Sequence, residues 1–144
     1  MMHDELFRPT IREEPGPGRP PWRPESILYP AFFGGPLAGG LLGVLNGRRL
    51  GLSAPQLAAI GAAACAAFGA RLAVSASLDA NSGVRLAGSV AGVLVWLVVI
   101  ALQRRPFRSW SLRGGDPASL VGPGWLAFLG CGLLEVVVIV GLIR

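Results

Sequence analysis

Two side chains lie where an ionisable group is expensive. Glu135 sits inside the apolar run that begins at Gly124, and Arg71 inside the one that begins at Ala54. A charge at the centre of a bilayer costs roughly 2.5–3.5 kcal/mol on insertion scales, so such residues face a bundle interior or a partner. A carboxylate placed there either pairs with a cation or carries protons or cations across. The two runs cross in the same direction. At ~1.5 Å per residue the two side chains differ in depth by about 7 Å, within reach of an extended arginine. An intramembrane Arg71–Glu135 ion pair is therefore expected. In the competing reading Arg71 reaches for the head groups and Glu135 stays protonated.

Other chemistry finds little support. His3 is the only histidine, so no His-based triad or metal cluster is available. Cys65 and Cys131 stand alone inside apolar runs, which suits small packing residues. Glycine-rich stretches abound, but there is no lysine to complete a phosphate-binding loop. Ser75 and Ser77, close to Asp79, suit a helix end. No catalytic residue, metal or cofactor is expected.

The elements around these residues follow from composition. Of 144 residues, 52% are hydrophobic and only 15% charged, against about 25% charged in a soluble domain; mean hydropathy is +0.56. All 13 basic residues are arginine. They flank apolar runs and form no single aromatic-interleaved patch, which suits lipid head groups and not nucleic acid. A helix needs about 20 apolar residues to cross ~30 Å of hydrocarbon. Four runs qualify, at 27–45, 54–78, 84–102 and 124–143. The expected fold is all-α: an integral membrane four-helix bundle of two transmembrane hairpins (26–144) behind a disordered Pro-rich tail (1–25). No secretory signal is evident in that tail.

Local signals sharpen this outline. Ser53, Pro55 and Gln56 form a helix start with a capping box. Asp79–Gly83 has the composition of a tight turn. The stretch after Gln103 mixes arginines with Phe107, Trp110 and Leu112 and suits the head-group layer, with a short helix following Asp116-Pro117. Trp22 is expected at the water–lipid boundary.

Gly35, Gly39, Gly43 and Gly47 recur every four residues and define a side-chain-free stripe, a glycine zipper that Ala31 extends by one step. Ala58, Ala62, Ala66 and Ala70 offer a matching face on the second run, and Gly88 and Gly92 add small residues on the third. Helices in lipid associate through such close approaches. Pro36, after Gly34-Gly35, is expected to kink the first span.

The segment Phe32-Phe-Gly-Gly-Pro-Leu-Ala-Gly-Gly40, followed by Asn46-Gly-Arg-Arg-Leu-Gly51, resembles the opening hairpin of a group of small bacterial multi-span membrane proteins that has no assigned activity. The resemblance implies the plasma membrane of a bacterium. Gly132–Gly141 resembles superficially the Glu-bearing last span of rotary-ATPase proteolipids, which implies proton or cation translocation through Glu135 as an alternative function. The favoured expectation is a non-catalytic scaffold or subunit of a membrane assembly. It would live in the bilayer, associate with itself or other membrane proteins through small-residue faces, and bind no identified small-molecule substrate. With four spans the arginines divide six against six. Those abutting span ends, Arg48, Arg49, Arg104 and Arg105, tilt both termini to the outside of the cytoplasm.

Overall fold

The computed structural model describes residues 18–78 and 81–143. A single 3-10 turn at Pro24–Ile27 leads into five helices: α1 (Leu28–Gly34), α2 (Pro36–Arg49), α3 (Ala54–Ser77), α4 (Asn81–Leu112) and α5 (Val121–Ile143). Among the described residues the only β-pairing is an isolated bridge between Trp22 and Ala118. Helices α3, α4 and α5 are long and apolar enough to cross a membrane. Their outward side chains suit lipid: Leu126, Leu133 and Leu142 of α5 are 75%, 66% and 73% exposed, a surface that water would penalise.

The first expected span, 27–45, is not one helix. Gly35 adopts φ 85° and ψ −172° between α1 and α2, a conformation that glycine alone enters freely. Its amide donates the last α1 bond, to the Ala31 carbonyl (3.0 Å). Pro36 then disfavours helical geometry at the residue before it and starts a new helix with its preset φ. The outcome is a reversal, not a kink. Ala31 and Gly39 would stand ~12 Å apart along a continuous helix, yet a Cβ on Gly39 would lie 2.9 Å from that of Ala31. Trp22 and Asn46, 24 positions apart, are hydrogen-bonded at 2.7 Å. Residues 22–49 thus form a helical hairpin with its tip at Gly34-Gly35-Pro36 and its base at Trp22 and Asn46.

The three long helices surround this hairpin. Helix α3 rises from base to tip, with Leu57 beside Gly47, Ile60 beside Gly43, Ala64 beside Gly40 and Arg71 beside Gly35. Helix α4 descends, from Gly88 at the tip through Val99 at Gly43 to Gln103 at Gly47. Helix α5 rises again: Gly124 meets Tyr29, Phe128 meets Gly34 and Glu135 meets Gly35. The core is accordingly centred on the hairpin, whose Ile27, Ala31, Ala38 and Leu42 are at most 2% exposed, with Ile60 of α3 and Val99 of α4 buried against it.

Several local expectations change. The glycine stripe is a packing surface at Gly39, Gly43 and Gly47, joined by Gly40; Gly35 belongs to the turn. Ala58, Ala62, Ala66 and Ala70 are exposed, and α3 meets the hairpin through Leu57, Ile60 and Ala64 instead. The reason is angular: Ile60, Ala64, Arg71 and Ser75 share one face at helical spacing, and turning that face inward sends the alanines outward. The capping box forms, with the Ser53 amide donating to Gln56 Oε1 (3.0 Å).

Residues 1–17 of the expected tail and Asp79-Ala80 of the expected turn lie outside the described residues; Asn81–Gly83 already belong to α4. Trp22 is 3% exposed, a core residue and not a boundary marker. The arginine-rich stretch 104–112 simply continues α4 through Pro106. No helix starts at Asp116-Pro117; the chain there is extended, and the Ala118 amide donates to the Pro21 carbonyl (3.1 Å).

Candidate functional site

The hairpin tip gathers the two ionisable groups that lie deep in the apolar runs, Arg71 and Glu135. Helix α2 begins with Pro36, which has no amide proton, so the Leu37 amide is its first free donor. Gly35, at the N-cap position, has no side chain to satisfy it. Glu135 of α5 does so instead: Oε1 accepts from the Leu37 amide at 3.0 Å. A carboxylate borrowed from another helix thus caps α2 at the positive end of its dipole. The other carboxylate oxygen, Oε2, pairs with Nη1 of Arg71. Glu135 is fully buried, and the Arg71 side chain is 10% exposed.

Glycines make this arrangement possible. A Cβ on Gly35 would lie 2.8 Å from Arg71 Nη1 and would overlap Glu135 Oε2; one on Gly88 would lie 2.8 Å from Arg71 Nε. The guanidinium is thus laid against the bare backbone of α4. Gly92 performs the same service for α1, since its Cβ would collide with the Ala31 carbonyl. The Ser89 hydroxyl donates to the Phe32 carbonyl at 3.0 Å. The expected Arg71–Glu135 pair is present, and it encloses the Pro36 break as well. Arg71 does not reach away toward head groups.

Three buried side-chain atoms here lack a hydrogen-bond partner: Nε of Arg71, Oγ of Ser75 and Oε2 of Glu135, the last of them held by the ion pair alone. Over the tip lies a cleft of about 520 Å³, walled by Phe32 and Phe33, Arg71, Arg85 with Ser89, and Phe128, Leu129 and Leu133 of α5.

A second polar cluster closes the base. Asn46 is fully buried; its Oδ1 accepts from the Trp22 amide (2.7 Å), and its Nδ2 donates to the Trp22 carbonyl (3.0 Å) and to Gln103 Oε1 (2.8 Å). Gln103, also fully buried, donates through Nε2 to the Gly43 carbonyl (2.5 Å). The Arg49 guanidinium lies 3.8 Å from the Trp22 ring centroid and donates to the Pro20 carbonyl (3.0 Å). Burial, and then the charge of Arg19, lower the proton affinity of Arg49, which stays charged at physiological pH all the same. Trp96 Nε1 adds a bond to the Pro24 carbonyl (3.1 Å).

Sequence reasoning missed Asn46 and Gln103. The available signal was that both are amides at the edges of apolar runs, where burial demands partners. Cys65 is exposed and Cys131 half-buried, and neither is in a disulfide. Among the described residues no group of His, Cys, Asp and Glu could hold a metal ion. Comparison with protein-family models, curated proteins and solved structures finds no match to this chain.

Proposed function

We propose that this chain is a small, non-catalytic integral membrane protein, a scaffold or subunit of a membrane assembly, built from three crossings and one re-entrant hairpin. The observation that carries this reading is the engagement of Glu135. One oxygen caps α2 and the other pairs with Arg71, so the carboxylate is committed to holding the hairpin tip. Irregular backbone at membrane depth is tolerated where protein buries it, and Gly34, Gly35 and Pro36 are buried. The exposed small residues Ala58, Ala62, Ala66 and Ala70 on α3 support association, because another helix can approach closely there.

On this reading the arginines also divide unevenly. With the hairpin entering and leaving on one face, Arg19, Arg23, Arg48, Arg49, Arg104, Arg105, Arg108 and Arg113 lie on its base side, and Arg85 lies near the opposite face. Basic residues beside spans favour the cytoplasm. We therefore place the base side in the cytoplasm and the end of α5 outside, an alternative to the expectation that both termini lie outside the cytoplasm. The Phe32–Gly51 resemblance supports a bacterial plasma membrane.

The test is flux through vesicles reconstituted with the whole protein. Wild type should pass protons no faster than empty vesicles, while Glu135→Gln lowers folded yield. Proton or cation flux that Glu135→Gln abolishes would establish the alternative, a coupled transport element.

A further inference from the structure

We propose that the cleft over the hairpin tip binds a singly charged anion with an apolar body, the chemistry shared by a fatty-acid carboxylate and a lipid phosphodiester. Three observations carry this. The first is charge. Arg71 and Arg85 both line the cleft, Glu135 answers only Arg71, and Arg85 has no ion-pair partner among the described residues. One positive charge is left over, and an oxyanion would complete a charge-assisted pair with it.

The second is an orphan donor. The Arg71 side chain is nine-tenths buried, and its Nε, beside Gly88, meets no acceptor. A buried donor without an acceptor is costly, and an anion seated beside the guanidinium offsets part of that cost through its charge, without touching Nε. Gly88 lies three residues after Arg85, so both guanidiniums reach the same side of α4.

The third is the opposite wall. Phe33, Leu129 and Leu133 are 67%, 59% and 66% exposed and line the same cleft. An apolar body laid along them extends the surface that α5 already offers to lipid. A bare inorganic anion would leave this wall uncovered, and a neutral apolar molecule would leave the charge unanswered.

The experiment titrates laurate, methyl laurate and inorganic phosphate into the full-length protein in neutral detergent, reading binding by native mass spectrometry and thermal shift. Laurate should bind one per chain, and Arg85→Gln should weaken it about tenfold, the scale of one charge-assisted hydrogen bond. Arg85 is exposed, so this variant should fold. Arg108→Gln, on the far face, should bind like wild type. Methyl laurate and phosphate should each bind about tenfold more weakly than laurate, lacking respectively the charge and the apolar body. If phosphatidylglycerol displaces laurate in an Arg85-dependent way, the natural head is a phosphodiester; if it does not, the head is a carboxylate, and both results support the site. Laurate binding that is indifferent to Arg85→Gln, or methyl laurate or phosphate binding as tightly as laurate, would overturn it.

Discussion

At the scale of single residues, the tip depends on two substitutable features. Removing one member of a buried ion pair leaves the other charge unpaired, at about 3–5 kcal/mol. Glu135→Gln should therefore destabilise strongly, and should also weaken the cap on the Leu37 amide. Arg71→Gln should destabilise to a similar degree. The double variant should lose much less than the sum, a coupling that equilibrium unfolding in mixed micelles would read. Additive losses would dissolve the pair as an energetic unit. Gly35 tests the turn: Gly35→Ala places a methyl against Arg71 and Glu135 in a positive-φ, extended-ψ conformation essentially reserved to glycine, at a cost of about 1–3 kcal/mol. Gly61→Ala, with nothing within 4 Å of its Cβ, should be neutral or slightly stabilising in the same assay, because alanine favours helix.

At the scale of elements, the hairpin is a pair of short helices that neither length nor apolarity would hold in place alone. Helix α1 has seven residues and α2 fourteen, and isolated helices below ~12–15 residues are marginal. Their stability comes from being latched at both ends, by the Glu135 cap at the tip and the Asn46–Gln103 pair at the base. Asn46→Ala removes the partners of the Trp22 amide and carbonyl and of Gln103 Oε1. Each buried group left unsatisfied costs about 1–3 kcal/mol. The expected outcome is fast hydrogen exchange confined to residues 20–34, while α3 and α5 remain protected. Exchange that rises uniformly through the bundle would show that the hairpin is not a separable unit.

At the scale of the whole molecule, the proposed re-entrant hairpin would make the number of crossings odd, and would put the two ends on opposite sides of the membrane. A reporter active only in the cytoplasm should stay silent when fused after Arg144 and work when fused before Trp22. Equal activity at both positions would restore an even number of crossings. The same fusions test the arginine asymmetry: moving Arg104 and Arg105 to the Arg85 side of α4 should produce a mixed orientation.

How much of this was legible beforehand differs from residue to residue. Helicity, the lipid environment and the limits of α3 follow from apolar run length and capping chemistry, which act locally, while the cost of charge in hydrocarbon and the matching depths made the Arg71–Glu135 pair one of two readings. The Gly34-Gly35-Pro36 signal announced a break, but a break by itself is silent about the angle between the halves. That angle is decided by partners distant in the chain: Glu135 capping α2, Gly92 admitting the Ala31 carbonyl, and Asn46 holding Trp22. The facing of α3 was undetermined for the same reason, since its alanines pack as well outward as inward until Arg71 finds its acid. Sequence alone determined what kind of solvent and secondary structure this chain requires. Only tertiary packing decided that its first helical segment turns back, because the four-residue glycine period fits a continuous helix and a folded hairpin equally until remote partners are in place.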